Sequence, residues 1–165
     1  MDTHDKLQKH ILILYYLYAS SVIFQLSGWT ATLGIILNTV AIIFTYIKRK
    51  SCAHTPYQSH IVWLLRTFWL GTGLFLPIAA VIATFITFQF GDFMMIIDTI
   101  YSGQLGSEAD LIQLLKDYVS EHRLLLITVC ITCFGPILVW WVWRCWVGFK
   151  KAQKAEPIDT PKAWF

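Results

Sequence analysis

The chain has 165 residues, of which 56% are hydrophobic and only 14% are charged, whereas about 25% are charged in an ordinary soluble domain. This composition excludes a disordered chain and a collagen-like repeat, and it leaves too little polar surface to cover a soluble globular domain. The sequence therefore predicts an integral membrane protein. Its apolar runs are continuous and not alternating, so the predicted fold class is all-α and not a β-barrel.

Two apolar segments at the start of the chain predict two membrane-spanning helices. A helix needs about 20 apolar residues to cross a hydrocarbon core about 30 Å thick. The first segment covers residues 11–26, and the second, residues 29–47, carries no charge and ends at Lys48, Arg49 and Lys50. The link between them is short enough to predict a tight hairpin. Because no small-x-small cleavage site precedes the second segment, we expect the first helix to be retained and not removed as a signal peptide.

The third apolar run, residues 61–90, is too long for one upright span, and it contains Arg66 near its start. We divide it into an amphipathic interfacial helix over residues 57–69 and a span over residues 70–90. Pro77 lies inside that span and predicts a kink, which a membrane helix tolerates when its neighbours satisfy the freed carbonyl group.

The fourth apolar run, residues 124–147, contains Pro136 and carries one charge, Arg144, near its end. The sequence thus predicts four membrane-spanning helices that form a single membrane domain over residues 1–165.

The charges that flank these spans predict which side of the membrane each connection faces. With four spans, nine Lys and Arg residues lie on one side, in the N-terminal tail, the second loop and the C-terminal tail. The connection from Gly91 to Arg123, which we call the outer lid, lies on the other side with six acidic and two basic residues. Positive charge in short loops stays in the cytoplasm. We therefore expect both termini to be cytoplasmic and the lid to face outwards.

The outer lid has a helical pattern of its own. Apolar residues recur at helical spacing within residues 93–101 and again within residues 111–119. Gly103 and Gly106 interrupt the chain between these stretches, and Ser107 predicts an N-cap for the second helix. This pattern indicates a helical hairpin that either lies on the membrane surface or caps the spans, or else serves as a docking platform for a partner protein.

One face of the predicted interfacial helix carries polar and aromatic side chains. At about 100° per residue, five residues fall within an arc of about 120°: Ser59, His60, Trp63, Arg66 and Thr67. Trp favours the headgroup layer, and Arg can bind a phosphate through two hydrogen bonds. The face is therefore an anchor that fixes the depth of the helix, a helix–helix contact, or a site for a lipid headgroup or another anionic ligand. The candidate site residues are Lys48, Arg49, His60, Trp63, Arg66 and Arg144.

No motif in the sequence points to catalysis. There is no H-E-x-x-H, no G-x-S-x-G and no phosphate-binding glycine loop. The Cys130-x-x-Cys133 pair lies inside an apolar span, where cysteine behaves as a small apolar residue. His54 and His60 lack the further ligands of a zinc site, so we expect neither a metal nor another cofactor. The net charge of +3 indicates basic patches at a membrane face and not nucleic-acid binding.

Two short motifs resemble a widespread family of small bacterial inner-membrane proteins of unknown function. The helical pattern of that family is similar to the Tic20-like subunit of the chloroplast inner-envelope import channel. The motifs are Tyr46-Ile-Lys48-Arg49 with Ser59-His60-x-x-Trp63-x-x-Arg66-Thr67-Phe68-Trp69, and Arg144-x-x-x-Gly148 with Pro157 beyond it. The resemblance implies a location in the bacterial inner membrane and an importance for His60, Trp63, Arg66 and Arg144, but it implies no reaction.

The chain departs from the family pattern at two places. Family members commonly have Gly-Thr before the Ser-His pair, whereas this chain has Ala53-His54-Thr55-Pro56. They also commonly join the last two helices by a short loop, whereas this chain has the acidic outer lid.

Without a catalytic motif, the sequence favours a protein that acts by association. We expect a non-enzymatic inner-membrane protein that supports membrane or envelope assembly, or maintenance of the electrochemical gradient, through membrane lipids and a protein partner at the outer lid. The alternative is a small transporter or channel subunit acting as a homo-oligomer, which the proline-interrupted spans at Pro77 and Pro136 favour. The predicted spans contain no carboxylate, although a proton-coupled transporter normally needs an ionisable group at membrane depth.

Overall fold

The computed structural model describes residues 3–25, 30–103 and 107–162, and every regular element in these ranges is helical. This confirms the predicted all-α class. The helices are α1 (Thr3–Gln25), α2 (Ala31–Ser51), α3 (Tyr57–Leu70), a π-helical segment (Gly71–Phe75), α4 (Leu76–Phe90), α5 (Phe93–Tyr101), α6 (Glu108–Glu121) and α7 (Arg123–Gln153).

Three helical stretches are long and apolar enough to cross a membrane. They are α2, the continuous stretch from α3 through α4, and α7. The last two contain the predicted spans 70–90 and 124–147, and α2 covers the predicted span 29–47 from Ala31 onwards. The described part of the first predicted span, residues 11–25, lies in α1, which is not one of the three. The predicted link at Ser27-Gly28 lies outside the described residues, as do the last residue of the first predicted span and the first residue of the second.

No loop separates the predicted interfacial helix from the span that follows it. The stretch Tyr57–Phe90 contains 34 residues, well over the roughly 20 that one upright crossing of the hydrocarbon core needs. The π-helical segment Gly71–Phe75 ends two residues before Pro77. A proline ring clashes with the carbonyl group four residues earlier, here that of Gly73, and a wider turn relieves the clash. The predicted interruption at Pro77 thus takes the form of a π-helical turn.

The chain divides into two compact units, unit 1 (Met1–Leu74 and Leu138–Phe165) and unit 2 (Phe75–Ile137). The core of unit 1 contains one stripe of α1, whose residues recur at the spacing of a single helical face. These residues are Ile11, Leu14, Tyr15, Tyr18 and Val22. Residues of α3 and of the C-terminal half of α7 complete the same core, among them Leu64 and Trp141.

Helix α1 lies along α2 in the opposite direction. Near the end of α1, a Cβ atom at Gly34 of α2 would lie 2.7 Å from the Ser21 carbonyl oxygen, so only glycine allows this approach. Small residues at such contacts are typical of helix pairs in membranes. Near the start of α1, the His10 ring packs edge-on against Phe44 at 6.0 Å between ring centroids. The two helices therefore stay together over most of their length.

The outward faces of both units are apolar. In unit 1, Ile23 is 66% exposed and Ile35 is 59% exposed, and in unit 2 Val81 and Phe85 are 70% and 63% exposed. Exposed apolar surface on this scale marks contact with a membrane or with another protein. The long apolar helices and their apolar exteriors together indicate a membrane protein.

Unit 2 contains the two helices predicted for the outer lid. They are α5 and α6, and the Ser107 hydroxyl accepts a hydrogen bond from the Asp110 backbone N–H at 3.3 Å, which confirms the predicted N-cap. After α5, Gly103 has a φ of 69°, a value that favours glycine. Gly106, the other predicted break, lies outside the described residues.

Candidate functional site

Arg144 is the largest fully buried side chain of unit 1. Its Nε atom donates a hydrogen bond to Thr67 Oγ1 at 2.9 Å. Its guanidinium carbon lies 3.5 Å from the centroid of the Trp63 ring and 5.1 Å from that of Trp140. Both distances are within the roughly 6 Å over which an aromatic face attracts a cation, and this attraction is strongest when water is excluded. The charge of Arg144 is thus held on aromatic surfaces inside the protein.

The Trp63 side chain also binds the backbone of Arg144. The indole Nε1–H donates to the Arg144 carbonyl oxygen at 3.0 Å, so Trp63 contacts both the side chain and the main chain of the same residue. Thr67 links the same two residues, because its hydroxyl donates a hydrogen bond to the Trp63 carbonyl oxygen at 2.8 Å and accepts one from the Arg144 side chain. These three residues form a closed set of contacts, which we call the Arg144 cluster, between α3 and α7.

His60 forms a second buried contact one turn before Trp63. Its Nε2 atom lies 2.9 Å from the Glu156 carbonyl oxygen, and its Nδ1 atom lies 3.0 Å from the Tyr15 hydroxyl. A carbonyl oxygen can only accept, so Nε2 carries the hydrogen atom. In the neutral ring, Nδ1 then accepts a hydrogen bond from the Tyr15 hydroxyl. Through these bonds His60 joins α1, α3 and the segment that follows α7.

The segment after α7 folds back onto the start of α3. The Ile158 backbone N–H donates to Ser59 Oγ at 2.9 Å, and the Ile158 side chain is buried. Lys151 Nζ donates to the Asp159 carboxylate at 2.6 Å, and this hydrogen bond lowers the pKa of the Asp159 carboxyl group. At the start of α1, Gln8 Nε2 donates to the carbonyl oxygens of Ala152 and Gln153 at the end of α7. We call this part of unit 1 its basic end, because the last turn of α2, which leads into the start of α3, carries Lys48, Arg49 and Lys50.

The predicted site residues fall into two groups. His60, Trp63 and Arg144 are fully or almost fully buried and bond within the protein, whereas Arg49 is exposed at the end of α2. Lys48 is half-buried, with its Nζ atom 5.2 Å from the centroid of the Phe44 ring on the same helix. The structure therefore favours a packing role for His60, Trp63 and Arg144 over contact with lipid headgroups.

The burial of Arg66 is intermediate between those of the two groups. It is half-buried, one turn after Trp63 on α3, and its positive charge repels that of Arg144. Of the predicted set, the structure thus brings together Trp63 and Arg144, with Arg66 near them.

Tyr15 and Gly148 belong to this region but were not among the predicted site residues. A Cβ atom at Gly148 would overlap the hydroxyl group and ring of Tyr15, the partner of His60. Because Gly148 lies one turn after Arg144, the motif Arg144-x-x-x-Gly148 places the buried cation and the tyrosine contact on the same face of α7. This motif was the only feature of the sequence that pointed to Gly148, and no feature of the sequence pointed to Tyr15.

We expect Gly148→Ala to lower the free energy of unfolding by about 1–3 kcal/mol, because the added methyl group overfills a packed contact. Denaturant unfolding of the detergent-solubilised chain, followed by circular dichroism, measures the change. The matched control is Gly135→Ala on the same helix, where a Cβ atom would have Ile131 Cγ2 as its nearest neighbour at 4.0 Å. That variant should be as stable as the parent chain or up to about 1 kcal/mol more stable. Equal losses in both variants would show that the Tyr15 contact does not matter.

The described residues offer no evident metal site, since no group of three or more His, Cys, Asp or Glu side chains in them could hold a metal ion. Cys130 is exposed, Cys133 is half-buried, and neither forms a disulfide. The hydrogen bonds of His60, Trp63 and Arg144 instead connect α1, α3, α7 and the segment after α7.

Comparison of the chain with protein-family models, with curated proteins and with solved structures gives no match. The resemblance to the family of small bacterial inner-membrane proteins therefore stays a prediction.

Proposed function

We propose that this chain is a four-span protein of a bacterial inner membrane that acts by association with protein and lipid partners, and not by catalysis. In this proposal it supports the assembly of the envelope or the maintenance of the electrochemical gradient.

The contacts of α1 support its role as the fourth span. It contacts α2 near both of its own ends, through His10 and through Ser21, and α2 is itself apolar enough to cross a membrane. The apolar part of α1, residues 11–25, is about 22 Å long and so covers most of the roughly 30 Å hydrocarbon core. A helix packed along a spanning helix in this way crosses the membrane with it.

Both termini belong on the same side of the membrane in this proposal. The hydrogen bonds from Gln8 to Ala152 and Gln153 connect the start of α1 with the end of α7, as an even number of crossings requires. The basic residues of the chain concentrate at this end, which the positive-inside rule places in the cytoplasm.

The topology predicts opposite labelling of two engineered cysteines in a chain whose native cysteines are replaced by alanine. A membrane-impermeant maleimide applied to intact spheroplasts should label Ser120→Cys, in the exposed part of α6, and spare Lys154→Cys, after α7. Once the membrane is opened, both positions should react. Labelling of Lys154→Cys in intact spheroplasts, or protection of Ser120→Cys, would contradict four spans with cytoplasmic termini.

The surface of α6 carries the association part of the proposal. Within this amphipathic helix Tyr118 is buried, while Ile112, Leu115 and Val119 are 44–52% exposed along one flank. Acidic residues on the remaining surface of α6 repel anionic lipid, so this apolar flank is not expected to lie in the membrane. A partner with an apolar contact patch and basic residues around it would complement the helix.

Photo-crosslinking in native membranes tests this surface. A photoreactive amino acid at Ile112, on the apolar flank, should capture a defined protein. The same probe at Gln113, which is exposed on the polar face one residue away, is the matched control and should capture much less. Equal capture from both positions, or none from either together with a lone monomer after mild solubilisation, would remove the proposed partner.

A further inference from the structure

An apolar groove lies between α1 and α7 on the outer surface of unit 1. One cavity of 190 Å³ is lined by side chains that include Tyr16, Ala19 and Phe149, and a second of 430 Å³ includes Ile23 and Leu138. The two cavities share Val142 and Trp146, so they form one continuous groove. All of the residues that line it are aliphatic or aromatic apart from Cys145.

The length of the groove matches one leaflet of a bilayer. Along α7 it extends from Leu138 to Phe149, which is about 16 Å at the rise of an α-helix. Half of the hydrocarbon core measures about 15 Å. The comparison rests on the proposed function, in which α1 and α7 both cross the membrane. An acyl chain of the leaflet next to the basic end would then lie alongside the groove over its whole length.

A cation lies at the end of the groove that faces the basic end of unit 1. Lys150 Nζ is 4.8 Å from the centroid of the Trp146 ring, and Trp146 lines both cavities. Trp rings and Lys side chains concentrate at headgroup depth, where the ammonium group reaches the phosphate layer. Lys154 is exposed a turn further on. The apolar groove thus ends in positive charge that complements an anionic headgroup.

We propose that the groove between α1 and α7 binds one acyl chain of an anionic phospholipid, whose phosphate lies at Lys150. A lipid chain suits this surface better than a second copy of the protein. Helix pairs in membranes associate through small residues that allow close approach, whereas this face of α7 presents Val139, Trp143 and Trp146, each at least 42% exposed. Bulky side chains with a channel between them match a flexible hydrocarbon chain.

The test uses the full chain in phosphatidylcholine vesicles that contain a minor share of phosphatidylglycerol with a photoreactive acyl chain. After irradiation, mass spectrometry should locate the lipid adduct on peptides from α1 and α7 at the groove. Ala19→Trp, which fills the groove, should lose most of this adduct. The matched control is Ile43→Trp, at a side chain of α2 that is 54% exposed and outside the groove, and it should keep the adduct.

Lys150→Gln tests the headgroup contact without filling the groove. It should lower the preference for phosphatidylglycerol over a phosphatidylcholine analogue with the same photoreactive chain about fivefold, the factor contributed by one basic side chain near an anionic surface. Adduct that is unchanged in Ala19→Trp, or equal for both lipids in the parent chain, would overturn the proposal. So would crosslinks between two protein copies at Trp146 in place of lipid. The cysteine labelling described above separates this failure from failure of the four-span topology.

Discussion

Arg144→Ala is expected to lower the free energy of unfolding by about 2–5 kcal/mol, the range for truncation of a large buried side chain. The substitution removes the largest fully buried side chain in unit 1. It also leaves the Thr67 hydroxyl without its donor and opens a gap against the Trp63 ring. Because burial of a charge is itself costly, removal of the charge of Arg144 offsets part of this decrease in the free energy of unfolding. The lost packing should still outweigh this gain, because alanine cannot fill the space that the arginine side chain occupies.

One further variant separates the volume of Arg144 from its charge, and a second serves as a control. Arg144→Met keeps most of the apolar volume and removes the charge, so it should cost less than the alanine variant. Arg123→Ala is the matched control, since Arg123 is exposed at the start of α7, and its effect should stay within about 0.5 kcal/mol. Unfolding of the three variants in mixed micelles, followed by circular dichroism, measures these changes. Equal effects for Arg144→Ala and Arg123→Ala would contradict the buried position of Arg144.

Trp63→Ala is the second substitution with a large expected effect, about 3–5 kcal/mol. The indole ring is 3% exposed and contacts both the guanidinium group and the carbonyl oxygen of Arg144. Trp69→Ala provides the control six residues later on the same helix. Trp69 is 55% exposed, and its Nε1–H donates to the Tyr46 hydroxyl at the surface. Trp69→Ala should therefore lower the free energy of unfolding much less than Trp63→Ala does.

A double-mutant cycle tests whether Trp63 and Arg144 act as one unit. Because each substitution already breaks the shared contacts, the double variant Trp63→Ala/Arg144→Ala should lose less than the sum of the single losses. The expected coupling is about 2 kcal/mol, the value for a desolvated cation on an aromatic face. Losses that add without coupling would indicate two independent packing defects.

The sequence by itself determined the helical class, three apolar stretches long enough to cross a membrane, and the two helices of the outer lid. These features depend on local properties. Composition and run length identify a helix in lipid, and the position of Ser107 before an acidic turn identifies its N-cap. Pro77 likewise predicted an interruption of the third apolar helix. That this interruption is a π-helical turn could not be predicted, because it depends on how the chain relieves the clash between the proline ring and the Gly73 carbonyl group.

Only the tertiary structure decided which way the polar face of α3 points and what it contacts. The sequence grouped His60, Trp63 and Thr67 on one face, but the partners of that face come from distant parts of the chain, since Tyr15 is 45 residues from His60 and Arg144 is 77 residues from Thr67. In water, a polar face would be expected on the outside. In a membrane, lipid is as apolar as the protein core, so hydrophobicity does not separate inside from outside. Polar groups there turn inwards to find hydrogen-bond partners, and the positions of those partners exist only once the helices have packed.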